Sequence, residues 1–121
     1  MNRDRQFAAD ARTLCAASAY EQKYYLNPFY EKLPESIRKE LQIISVLFTE
    51  EIGGRFLMEF DDGGNLMFRT EAYESDYNYD EIGAALMIKE IRKNRGELLE
   101  QLELYYRVAV LGEPIPGDDA S

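Results

Sequence analysis

The chain predicts an α+β fold: a helix and a long C-terminal helix packed on one face of a small antiparallel sheet. Three observations carry this. A four-three apolar stripe begins at Ile37, two phenylalanine-rich runs flank Asp61-Asp62-Gly63-Gly64-Asn65, and apolar residues recur at four and three from Ala84 to Ala109.

Residues 1–18 place Phe7, Ala11, Leu14 and Ser18 at helical spacing among alanines, which predicts a weak, poorly capped N-terminal helix. Residues 19–27 alternate Tyr20, Gln22, Tyr24 and Leu26 with Glu21, Lys23 and Tyr25, a strand pattern ended by Asn27-Pro28. A helix competes there, because Tyr20 and Tyr24 are also four apart. Counted with the later hairpin, a strand here would make the sheet three-stranded.

Pro34 suits a first helical position, and Leu33 can staple onto Ile37. The stripe that follows is Ile37, Leu41, Ile44, Leu47 and Phe48, widened by Ile43, Val46 and Ile52. Gly53-Gly54 supplies the left-handed backbone that stops the helix. In the hairpin, a three-residue loop Asp62-Gly63-Gly64 pairs Phe60 with Leu66, Met58 with Phe68 and Phe56 with Thr70, all on one face. The other face then holds Arg55, Leu57, Glu59, Met67, Arg69 and Glu71. A one-residue slip would mix phenylalanine with charge on both faces, so the register is well specified.

Asp80 is an N-cap for the last helix, whose stripe is Ala84, Ile88, Ile91, Arg95, Leu98, Leu102, Tyr105 and Ala109. Unbroken from residue 81 to 111, it would run about 46 Å at about 1.5 Å per residue. Gly96 offers a break, but the periodicity favours one helix. Gly112-Glu113-Pro114 ends it, and residues 112–121 read as a disordered tail behind a single domain at 19–111.

The 121 residues suffice for one core without staples, and the lone Cys15 cannot form an internal disulfide, as suits a reducing cytoplasm. Neither a secretory signal nor a membrane span of about 20 apolar residues is present, so a cytoplasmic protein is expected. Net charge is −9: residues 1–60 sum to −1 (8 basic, 9 acidic) and residues 61–121 to −8 (6 basic, 14 acidic). An acidic stretch from Asp61 to Glu81 would repel nucleic acid, so neither nucleic acid nor membrane is expected as a partner.

Candidates for chemistry are few. Asp76-Tyr77-Asn78-Tyr79-Asp80 matches the first half of a calcium loop, but Glu81 stands where the turn glycine belongs and Met87 where the bidentate glutamate belongs. Cys15 lacks an activating base in a chain without histidine. No catalytic residue, metal or cofactor is therefore assigned. Tyrosine favours partner contacts. This makes the acidic, aromatic segment Glu71, Tyr73, Glu74, Asp76, Tyr77 and Tyr79 a candidate site for a basic partner, although packing of the segment onto its own domain is the favoured use of its tyrosines. Ile91, Arg95, Leu98, Leu102 and Tyr105 are candidates for self-association, since a long heptad stripe and an incomplete sheet both call for a second copy.

The runs KYYLNPFYEKLP, KELQIISVLFTEEIGG, EFDDGGNL, YDEIGAALMIKEI and LLEQLELYYRV together resemble a domain-of-unknown-function family of small proteins from anaerobic Gram-positive bacteria. The resemblance spans Cys15 to Glu113 and implies a single cytosolic domain with no activity, ligand or functional residue attached. Gly96 departs from the longer side chain of that pattern. The function expected is that of a non-enzymatic protein-interaction or regulatory module that self-associates. The alternatives are an acidic immunity-type or chaperone-type protein that binds a basic partner, and a carboxylate hydrolase.

Overall fold

A computed structural model describes residues 10–117 as an antiparallel four-stranded sheet with three helices. The order along the chain is β1 (Thr13–Ser18), β2 (Lys23–Leu26), a 3-10 turn (Pro28–Tyr30), α1 (Glu35–Ile52), β3 (Arg55–Phe60), β4 (Leu66–Glu71), α2 (Glu81–Asn94) and α3 (Gly96–Ala109). In space the strands run β2-β1-β3-β4.

The centre of the sheet lies where a helix was expected. Of the predicted helix over 1–18, residues 1–9 fall outside the described residues, and Thr13–Ser18 is a strand with neighbours on both sides. The domain therefore begins well before residue 19. The strand is masked in the sequence by a bulge: Thr13 faces Glu59 and Cys15 faces Met58, leaving Leu14 as the extra residue. Both Leu14 and Cys15 are consequently buried, and the period-two signature is lost. Small Cys15 and Ala17 lie on the face covered by α1, where partners on either side outweigh alanine's poor strand preference.

The segment expected as one strand over 19–27 divides. Residues 19–22 form the turn, with Gln22 at φ +53°, and only Lys23–Leu26 pairs with β1. Asn27 then ties three pieces of chain together. Its amide donates to the carbonyls of Asp10 and Thr13, both at 2.7 Å, and its carbonyl accepts from Phe29 N–H at 3.0 Å. Beside it the buried Tyr30 donates to the Ala11 carbonyl at 2.5 Å.

Pro34 stands one position ahead of its expected place, as the N-cap of α1. Leu41, Ile44, Ser45, Phe48, Thr49 and Ile52 face the sheet. Ile43 and Leu47, expected in the packed stripe, are 52% and 45% exposed. The apolar arc of α1 is wider than the strip one sheet face can cover.

The hairpin has the expected register: Phe60 faces Leu66, Met58 faces Phe68 and Phe56 faces Thr70. Gly64 adopts φ +87° at the turn. Phe56 stacks between Phe48 (4.3 Å) and Phe68 (5.7 Å), which joins α1 to both strands. On the opposite face Arg69 bridges Glu59 at 2.9 Å and also pairs with Glu71.

The C-terminal helix is two helices. Arg95 leaves helical geometry (φ −119°, ψ 27°) between α2 and α3. The bend lets α3 turn over the hairpin tip, where Tyr106 stacks on Phe60 at 4.2 Å and Glu103 accepts from the Leu66 N–H at 2.7 Å. A straight helix could not cover both ends of the sheet. The residues expected to drive self-association are thereby consumed by the fold. Ile91, Leu98 and Leu102 are buried, Tyr105 packs against Tyr30 at 6.0 Å, and Arg95 pairs with Glu40 of α1 at 2.6 Å. A heptad stripe reads the same whether a second copy or the chain's own sheet covers it. Residues 112–117 are exposed and in neither helix nor strand, and 118–121 lie outside the described residues. No helix among the described residues is long and apolar enough to cross a membrane.

Candidate functional site

The segment between β4 and α2 combines acid with tyrosine, and the structure shows how it is held. Tyr73 stacks on Tyr20 of the β1–β2 turn with ring centroids 4.1 Å apart. The Arg55 guanidinium sits 5.3 Å and 5.1 Å from the centroids of the Tyr20 and Tyr73 rings and donates to the Tyr73 hydroxyl at 2.8 Å. The Tyr20 hydroxyl donates to Asp76 Oδ2 at 2.6 Å and accepts from the Tyr73 N–H at 3.1 Å. Desolvation, followed by the bond to Asp76, raises the pKa of that hydroxyl above its ordinary value.

The half-calcium-loop pattern also has a local explanation. Asp76 Oδ1 accepts from Asn78 N–H at 3.1 Å, and Asp80 Oδ1 caps α2 through Gly83 N–H at 2.8 Å. These carboxylates shape the backbone.

The anchored segment forms one wall of an open cleft of about 760 Å³. Ala84, Ala85 and Ile88 of α2 provide its apolar floor, and Thr70 and Ala72 its sheet side. Tyr73, Glu74, Asp76, Tyr77 and Tyr79 all line it, joined by Glu81. Tyr77 is 93% exposed, so its ring is free to meet a partner, whereas Tyr79 is half-buried. Glu71 is not part of the cleft, being paired with Arg69 on the opposite sheet face. Local sequence patterns do not mark Tyr20 and Arg55 as organisers, since Tyr20 and Tyr73 are separated by 53 positions.

Beside the cleft lies the outer edge of β4, with which no strand among the described residues pairs. The Asp61 N–H bonds to Asn65 C=O at 2.9 Å, which sets the phase of the β3–β4 ladder. Bonded pairs alternate from there, so the N–H and C=O groups of Leu66, Phe68 and Thr70 point away from β3. At Leu66 the chain closes its own edge: Glu103 takes the N–H and Arg92 donates to the C=O at 3.1 Å. Toward Thr70 the edge opens onto the cleft.

Cys15 is a different case, buried 3.6 Å from the Ser45 hydroxyl. Burial pushes its thiol from the ordinary 9.0 up to about 11, with Ser45 pulling weakly the other way. The folded state therefore favours the neutral thiol. Its stabilising contribution is full below pH 9.0 and falls away as pH rises toward about 11. The thiol is expected to react with iodoacetamide at pH 8 only as fast as the chain opens, and labelling should become immediate in urea. Fast labelling of the native protein would contradict the burial.

No curated protein and no solved structure matches the chain. A family model described as a family of unknown function (DUF6145) matches residues 11–114, from the short segment before β1 to the end of the C-terminal helices. The match spans every element of the fold, so the chain belongs to this family of unknown function, DUF6145.

Proposed function

We propose that the protein is a cytoplasmic, non-enzymatic interaction module that captures an extended basic segment of a partner protein in the cleft, as an added strand on β4. The outward-facing N–H and C=O groups of Phe68 and Thr70 carry this reading. A sheet edge with unpaired backbone groups is a template for strand addition, in which main-chain bonds give affinity and neighbouring pockets select alternate side chains. Here the side chains directed at α2 would rest on Ala84, Ala85 and Ile88 and reach Glu81 on the same helix line, with Glu74 and the exposed Tyr77 ring lining the rest of the cleft. Those carboxylates favour lysine or arginine in the incoming strand and disfavour acid.

A nine-residue peptide alternating lysine and valine provides the test, followed by amide chemical shifts. Shifts are expected to concentrate in residues 68–81 and to weaken as salt rises. The same peptide N-methylated at alternate residues should bind at least about tenfold more weakly, since one edge of its backbone is blocked. Charge reversal at Glu74→Lys with Glu81→Lys should reduce affinity for the parent peptide by a similar factor, about 1.4 kcal/mol. Equal binding of the methylated peptide, or shifts centred elsewhere, would refute strand addition.

A further inference from the structure

We infer that the outer faces of α1 and α2 form a two-fold interface between two copies of this chain. This surface is independent of the β4 cleft. The two helices are antiparallel neighbours: the Asp80 N–H reaches the Ile52 carbonyl where α1 ends and α2 begins, and Arg95 reaches Glu40 at the other end. Facing away from the sheet, α1 carries Lys39, Ile43, Leu47 and Glu50 at spacings of four, four and three. The outer side of α2 carries Ile82, Leu86, Lys89 and Lys93 at four, three and four. Such spacings put each set on one line along its helix.

The aliphatic side chains of this surface are exposed among the described residues, with Lys89 and Glu90 beside them. Ile82 and Leu86 are 76% and 61% exposed, beside the half-exposed Ile43 and Leu47. A shallow groove of about 170 Å³ runs between the helices beside Ile43 and Leu47, walled on the α2 side by Met87, Glu90, Ile91 and Arg95. Isolated exposed leucines are ordinary, but four large aliphatic side chains on two adjacent helices form a patch of the kind that marks an interface.

The charges at its two ends identify the occupant. Glu50 and Glu51 stand at the end where α1 finishes, and Lys93 stands with Lys39 at the opposite end. On α1, Glu50 and Lys39 lie about five and six residues from the midpoint of Ile43 and Leu47, about 7.5–9 Å at about 1.5 Å per residue. A two-fold axis through the middle, perpendicular to the helices, lays the acidic end of one copy over the lysine end of the other, and does so twice. A uniformly basic partner would meet Lys89 and Lys93, and a uniformly acidic one would meet Glu50 and Glu51. A second copy of this chain matches both ends.

Sedimentation equilibrium of the full chain at low salt is expected to return twice the 14.0 kDa monomer mass at micromolar concentration. Leu86→Glu, at an exposed position, should give a monomer with unchanged helical content and melting. Glu50→Lys and Lys39→Glu, which the two-fold places opposite each other on facing copies of α1, should each weaken association by about tenfold or more, and the double exchange should restore it, because each new lysine again faces a new glutamate. A monomeric parent chain, or association untouched by Leu86→Glu, would overturn the interface. A double exchange no tighter than the singles would overturn the two-fold arrangement. The peptide titration of the β4 cleft should be unaffected by Leu86→Glu, which keeps the two surfaces separately testable.

Discussion

Leu102→Glu is expected to unfold the chain. In a helix that zipped to a second copy, the same substitution would release folded monomers, so the outcome separates core from interface. Leu102 is 2% exposed in α3, among the buried Leu98, Leu99 and Tyr106. Removing a buried leucine costs about 2–5 kcal/mol, and forcing a carboxyl group into its place adds several more through desolvation. The sum is comparable with the whole stability of a domain this size, about 5–15 kcal/mol. Such a carboxyl would be held neutral in the folded chain, its pKa raised above the unfolded value. The deficit should thus be smallest in acid and grow as pH rises through the ordinary glutamate range, about 4.3. Leu104→Glu serves as the control, because Leu104 is 42% exposed on the same helix. That variant should stay within about 0.5 kcal/mol of the parent in urea denaturation. A folded Leu102→Glu monomer would remove the packing of α3 described above.

Gly54→Ala should be the next most damaging, for a backbone reason. Gly54 has φ +68°, where a side chain costs about 1–2 kcal/mol. A Cβ there would also stand 2.5 Å from the Glu71 carbonyl and 2.9 Å from the Tyr79 ring. The carbonyl belongs to the end of β4 and cannot turn aside as a flexible side chain could, and overpacking of this kind adds about 1–3 kcal/mol. A loss of about 2–5 kcal/mol in urea denaturation is expected from the two costs together. Gly53, next to it at φ +92° and ψ −173°, has open space within 4 Å of where a methyl group would sit, so Gly53→Ala reports the cost of a glycine-only backbone without a close contact. A loss at Gly54 of no more than about 2 kcal/mol, the backbone cost alone, would show that the close approach to Glu71 and Tyr79 contributes nothing. The consequence extends to the proposed binding cleft, since this contact seats the Tyr79 part of its wall beside the start of β3.

Some features are written locally. The hairpin register follows from alternation and a glycine turn within 17 residues, and Gly53-Gly54 and Asp80 mark where helices stop and start. The acidic tyrosine segment is also visible as composition, although its use as a cleft wall is not. Tyr73 and Asp76 are fixed by Tyr20 and Arg55, from elements with no sequence signal of that relation. Likewise β1 is hidden by its bulge and its alanines, which only sheet neighbours on both sides can hold extended.

The sequence by itself determined the α+β class, the hairpin and its facing residues, and the helix-forming stretches, because turn chemistry and side-chain periodicity act between residues close in the chain. Tertiary structure decided which apolar stripes would be covered. Ile91, Leu98 and Leu102 face inward, with the bend at Arg95 letting the last helix follow the sheet, whereas Ile43, Leu47, Ile82 and Leu86 stay outside. Periodicity states that a face is apolar; what lies against it depends on how far the sheet extends and where the helices cross it.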